Sequence, residues 1–124
     1  MENFTPELKA EIYYLKHDKE NNIGRSKPVF SGYRGQFYYD GQNWDAPQNF
    51  INKDSCSPGE SVEVYLETIS KEAHIGKFFI GKEFEIREGA RIIGKGKILE
   101  VIRKDFQLWD RLTRMNACTT LQNL

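Results

Sequence analysis

Ile86-Arg87-Glu88-Gly89-Ala90-Arg91-Ile92-Ile93-Gly94-Lys95-Gly96-Lys97-Ile98 is the stretch on which the fold turns. Gly89, Gly94 and Lys95 fit most of G-x-x-x-x-G-K-[ST], a loop whose backbone N–H groups cradle phosphates while its hydroxyl holds magnesium. The hydroxyl position, however, is Gly96, and the intervening Ile92 and Ile93 have the β-branched character of a strand. A phosphate loop also opens a helix, whereas Lys97-Ile98-Leu99-Glu100-Val101-Ile102 continues in strand-like composition. A hairpin accounts for the same residues. Glu83-Phe84-Glu85-Ile86-Arg87 alternates charged and apolar, Gly89-Ala90 supplies a two-residue turn with Gly first, and the chain returns from Arg91 as a second strand. Gly94 and Gly96 then share one face of that strand, where missing side chains permit tight curvature or close backbone approach.

The same signals recur on either side. Glu11-Ile12-Tyr13-Tyr14-Leu15 reads as a strand, after a loose polar lead-in over 1–9 and before an exposed loop over 16–24. Gln36-Phe37-Tyr38-Tyr39 is a second strand, ended by Asp40-Gly41. After the turn Pro58-Gly59, Val62, Val64 and Leu66 point to one face and Glu63, Tyr65 and Glu67 to the other. Short strands with regular turns and no internal repeat predict an all-β domain, closed or sandwich-like.

The 124 residues suit one domain, with 18 Lys and Arg against 18 Asp and Glu. No excess of positive charge draws the chain to DNA or to an anionic membrane. The charge is unevenly placed all the same, with the acidic excess before residue 70 and the basic excess in 71–104. No apolar run approaches the roughly 18 residues of a membrane span, and no leader is evident, so a cytoplasmic location is expected. Cys56 and Cys118 have no local C-x-x-C partner and read as ordinary thiols. His17 and His74 stand apart in polar contexts and read as surface histidines, so neither a metal nor a cofactor is expected. No nucleophile–base pair or paired acid site is visible, which argues against an enzyme.

In the tail, Leu108, Leu112 and Met115 recur at i, i+4 and i+7, and Asp105 is a residue type that caps a helix start. The spacing predicts a short C-terminal helix. It either packs across an open end of the domain or presents Trp109 and Leu112 to a protein partner.

Three separated stretches, in order, resemble the C-terminal domain, domain III, of bacterial elongation factor Tu. Phe30-Ser31-Gly32-Tyr33-Arg34-Gly35-Gln36-Phe37-Tyr38 is similar to that family's F-x-G-Y-R-P-Q-F-Y. Pro58-Gly59-Glu60-Ser61-Val62-Glu63-Val64 is similar to its P-G-D-x-V-x-V, and 84–96 to its F-A-I-R-E-G-G-R-T-V-G-A-G. The resemblance covers about residues 10–104 and implies a six-stranded antiparallel β-barrel, placed here over 1–104 with the extension over 105–124. It implies no GTPase, because the family's nucleotide site lies in a separate N-terminal domain absent from this sequence.

In the family, this domain holds the T-stem of aminoacyl-tRNA, contacts the exchange factor Ts and packs on the GTPase domain. Carried over by residue, Arg34, Gln36, Arg87, Glu88 and Gly89 fall where the family meets tRNA, and Arg91 lies beside them. Cations for phosphate, an amide for 2′-hydroxyls and a glycine for close approach suit an A-form stem. The chain also departs from the family. Asp40 stands at a basic position, Asp45 near a contacting threonine, and Gly35 replaces a proline, while Lys95 and Lys97 add charge. Carboxylates beside a phosphate backbone oppose RNA binding.

Three functions follow: a protein-interaction module imitating the factor's surface toward an exchange factor or a toxin, a tRNA- or RNA-stem-binding module, or a purely structural remnant. Common to all three is an outcome for the opening stretch. The purified protein should neither bind nor hydrolyse GTP or ATP. Magnesium-dependent nucleotide binding at micromolar affinity, abolished in Lys95→Ala, would restore the phosphate loop.

Overall fold

The computed structural model of the protein describes residues 4–108, in which alternation of apolar and polar side chains sorts nine strands onto two faces. In chain order they are β1 (Leu8–Tyr14), β2 (Val29–Phe30), β3 (Gln36–Tyr39), β4 (Gln42–Asp45) and β5 (Gln48–Phe50). The series continues with β6 (Ser55–Cys56), β7 (Ser61–Leu66), β8 (Glu83–Glu88) and β9 (Arg91–Val101). Val62, Val64 and Leu66 of β7 are buried, as their spacing predicts. On β1, Leu8, Ala10, Ile12 and Tyr14 face the same core.

The main sheet is antiparallel with the order β4-β3-β8-β9-β1-β7-β5, and β2 pairs separately with β6. Its two edges, β4 and β5, are consecutive in the chain and joined only by Ala46-Pro47. The run that follows β7 hydrogen-bonds to this junction, with Glu67 N donating to Pro47 O (3.4 Å) and Ile69 N to Asp45 O (3.3 Å). One stretch of chain therefore forms both edges, and the sheet must curl until they meet. Counting β4 and β5 as halves of one bent strand gives the six strands of the barrel.

Curling is concentrated on β9. Ile86 pairs with Gly94 and Arg87 with Ile92, leaving Ile93 as an extra residue, and the pairs Lys9–Glu100 and Ala10–Ile98 leave Leu99 as another. Two bulges bend the strand enough to serve β8 and β1 together. Gly96 has a packing role as well. A methyl group there would lie 2.4 Å from the Phe84 ring and 2.9 Å from the Glu11 carbonyl. At the hairpin tip Gly89 has φ +62, the left-handed conformation that the two-residue turn requires.

Several expectations are corrected. The expected loose lead-in over 1–9 gives way to ordered structure from Glu7, which is buried, and β1 begins at Leu8. The Glu7 carboxylate accepts from Thr68 N and Oγ1 (both 2.7 Å) and pairs with Lys71 (2.6 Å), an anchor that local sequence does not announce. Asp40-Gly41, with φ of +49 and +82, is the turn of a tight hairpin, and 42–45 returns as a strand.

His74 is not on the surface. It ends a one-turn 3₁₀ helix (Lys71–His74), is fully buried, and lies among the rings of Phe37, Tyr39, Trp44, Phe78 and Phe106. Its polar neighbours in sequence face outward while aromatics from distant segments enclose the ring. The helix expected from Asp105 does not begin there either. Lys104–Phe106 forms one 3₁₀ turn, Phe106 is buried in the core, and Gln107 is extended. The rest of that helix, including Trp109 and Leu112, lies outside the described residues, as does Cys118. Cys56 is a buried free thiol.

Two outcomes test this packing. Gly96→Ala should cost about 1–3 kcal/mol in urea denaturation, because the new methyl overpacks Phe84, and Phe84→Leu should recover part of the loss non-additively. Additive effects would sever the link between the two positions. His74 supplies a pH test. Burial lowers its pKa from 6.5 to about 4, although the Glu7 charge opposes the shift. The unfolded chain thus binds a proton that the folded chain refuses, and stability is lost as pH falls from about 6.5 to 4, by up to about 3 kcal/mol. His74→Gln, which keeps a polar partner for the Tyr39 hydroxyl that lies 2.5 Å from His74 Nδ1, should flatten that slope in urea midpoints measured across the interval. An unchanged slope would remove His74 as its source.

Candidate functional site

The hairpin of β8 and β9, with β3 alongside, brings the residues singled out for binding onto adjoining positions. Gln36 is the register partner of both Arg87 and Asp45, and Arg87 is opposite Ile92. Asp45, Gln36 and Arg87 thus form one row across three strands. Arg34 lies just before β3 and pairs loosely with Asp45 at 3.7 Å, both side chains being more than half exposed. Arg34, Gln36 and Arg87 are therefore brought together.

Arg87 is held from two sides. Its Nη2 lies 2.7 Å from Glu85 Oε1, and its guanidinium carbon stands 3.6 Å from the centre of the Tyr38 ring. Glu85 and Arg87 share a face because they are two apart on a strand, while Tyr38 arrives by pairing with Glu85 from β3. A planar guanidinium laid on an aromatic face keeps its outer edge available for hydrogen bonds.

Glu88, Gly89 and Arg91 form the hairpin tip, and there the carboxylate is the hub. Glu88 Oε2 accepts from Arg25 Nη1 (2.5 Å) and Tyr33 Oη (2.7 Å), and Oε1 accepts from Arg91 Nη2 (2.8 Å). Partial burial would raise the pKa of this carboxyl, yet the Tyr33 and Arg91 hydrogen bonds and the Arg25 charge together hold it below its ordinary value. Burial and the same carboxylate push the Tyr33 phenol well above its usual range. Two arginines share one carboxylate, so the tip keeps a single net positive charge, fixed in place.

Gly35 belongs to this arrangement. A side chain at that position would begin 2.5 Å from the ring of Tyr33, the tyrosine that reaches Glu88, so the glycine lets the ring lie close against the chain. The two departures toward acid are also paired: Asp40 accepts from Lys82 Nζ at 2.9 Å, and Asp45 faces Arg34. On the neighbouring outer surface a groove is lined by Tyr13, Tyr38, Glu83, Glu85, Lys95 and Lys97. Lys95 stands in register between Tyr13 and Glu85, and Lys97 between Glu11 and Glu83.

Among the described residues there is no cluster of three or more metal-ligating side chains and no helix long and apolar enough to cross a membrane. Residues 3–102 match the family described as the elongation factor Tu C-terminal domain. The chain belongs to the elongation factor Tu C-terminal domain family. That domain is a translation-related, non-catalytic barrel, in keeping with the curled antiparallel sheet. Within the elongation factor Tu C-terminal domain fold, the carried-over Gln36 and Arg87 lie on the outer face of β3 and β8 with Arg34 beside them, and Glu88, Gly89 and Arg91 form the adjoining hairpin tip. Sequence reasoning missed Tyr38 as the platform for Arg87, and Arg25 and Tyr33 as the partners of Glu88. The Glu85–Arg87 pair is local and readable from spacing, whereas the other contacts depend on pairing of distant segments.

Proposed function

We propose that this chain is a non-catalytic binding module whose β3–β8–β9 face docks a protein that also binds elongation factor Tu, an exchange factor or a toxin of the translation apparatus. One observation carries the reading: each arginine of the candidate face already has a carboxylate partner, Arg34 with Asp45, Arg87 with Glu85, and Arg91 with Glu88. A phosphate backbone gains from releasing counterions at free cations, and it must compete with these carboxylates for the guanidinium groups. A protein surface with its own mosaic of both signs meets such a face without breaking the pairs. The fixed geometry of Arg87 on Tyr38 and of the Glu88 hub favours docking further, since groups already held in place lose little freedom on binding. In this reading the barrel over 1–104 is the binding unit.

RNA-stem recognition is the second reading, favoured by the Gln36–Arg87 row and by the added Lys95 and Lys97. Pull-down from native extract followed by competition separates the two. The expected result is a recovered protein that excess full-length elongation factor Tu displaces and that Arg87→Ala releases, with at best weak, strongly salt-dependent tRNA binding. If no protein is recovered and tRNA persists through a high-salt wash, the RNA reading replaces this one. Asp45→Thr should then tighten RNA binding by removing a repelling charge.

A further inference from the structure

Strand register lays an ordered row of side chains across the outer surface of β1, β9, β8 and β3. Tyr13 of β1 is opposite Lys95 of β9, Lys95 opposite Glu85 of β8, and Glu85 opposite Tyr38 of β3, so the row reads Tyr–Lys–Glu–Tyr. In the row beside it Lys97 is opposite Glu83. Both rows line the groove described above, and Tyr13, Lys95, Lys97 and Glu83 are exposed in it. Among the described residues no ion pair ties Lys95, Lys97 or Glu83, whereas Arg34, Arg87 and Arg91 each have one. Arg87 takes only Oε1 of Glu85, which leaves Oε2 for another donor.

We infer that a second copy of this chain seats on these rows in a two-fold symmetric pair. Such a contact sets residue i against j and j against i, so the face must complement itself. This one does. A two-fold axis lying along the seam of β8 and β9 exchanges those two strands, and it exchanges β1 with β3. Lys95 then lies over Glu85 of the second copy, Lys97 over its Glu83, and Tyr13 over its Tyr38, with every contact made twice. Tyrosines at both ends of the row supply the anchors, and the opposed charges fix the register. Equal numbers of basic and acidic residues, 18 of each, leave no long-range repulsion between copies. Tyr38 and Glu85 also border Arg87, so a seated copy and the partner proposed above exclude each other. The inference does not rest on that partner.

Sedimentation velocity of the pure full-length chain tests it. The wild type should form a reversible dimer at micromolar concentration, weakened by added salt. Lys95→Glu with Lys97→Glu sets like charges against each other across the axis, as does Glu83→Lys with Glu85→Lys. Each double variant alone should raise the dissociation constant about tenfold or more, with the far-UV circular dichroism of the sheet retained. Mixed in equal amounts, the two should dimerise again, because each copy then meets its opposite, a rescue that charge pairing within one copy cannot produce. The inference is overturned if the wild type stays monomeric, if either double variant dimerises as the wild type does, or if the mixture remains monomeric. A monomeric wild type whose pulled-down partner is lost on Lys95→Glu with Lys97→Glu would likewise overturn it and assign the groove to a foreign protein.

Discussion

Close backbone approach along β9 is the constraint from which the rest of the barrel follows. Gly96 leaves the space that the Phe84 ring fills, and Gly94 brings β9 against Ile12 and Tyr14 of β1. The bulges at Ile93 and Leu99 then bend one long strand across both neighbours. Were β9 straight and fully substituted, β8 and β1 would diverge, and the edges β4 and β5 would be held apart. Curling also gathers Phe37, Phe78, Phe84 and Phe106 into one aromatic cluster, the medium that keeps the His74 ring neutral.

Local features of this architecture were legible in the sequence. Alternation over 61–67 and 83–88 announced the buried faces, and Gly89-Ala90 fixed the register of the hairpin, because a two-residue turn makes Glu88 and Arg91 opposite neighbours. What could not be read depended on segments distant in the chain. His74 looks polar among its neighbours and is enclosed by Phe78 of its own segment and by Phe37, Tyr39, Trp44 and Phe106 from distant ones. Glu7 is one acid in a polar stretch until Thr68 and Lys71 arrive beside it. The bent β4–β5 strand escaped for another reason: Gln42-Asn43-Trp44-Asp45 lacks a clean apolar alternation, since only Trp44 packs against the core.

The candidate face divides in the same way. Arg34, Gln36 and the hairpin tip could be placed from the family motif, but their charge state as a surface could not. Glu85, Glu88 and Asp45 each pair with an arginine of the set; the Glu85–Arg87 pair is readable from spacing, whereas the sharing of Glu88 between Arg25 and Arg91 depends on segments distant in the chain. Gly35 likewise has a packing role, because a side chain there would meet the Tyr33 ring that ties the approach to β3 to the hairpin tip.

The position of β1 carries a consequence for synthesis. Its two sheet neighbours are β7 and β9, and the Glu7 carbonyl that precedes it accepts from Ile102 N and Arg103 N just after β9 ends. A ribosome delivers the chain from the N-terminus, so β1 emerges first, with Leu8, Ala10, Ile12 and Tyr14 on one face and neither neighbour yet made. Pairings so distant in sequence close slowly, and an apolar strand with two open edges is prone to pair with other chains. Until β9 leaves the exit tunnel the nascent barrel remains an open sheet, and shielding of β1 during that interval falls to whatever waits outside.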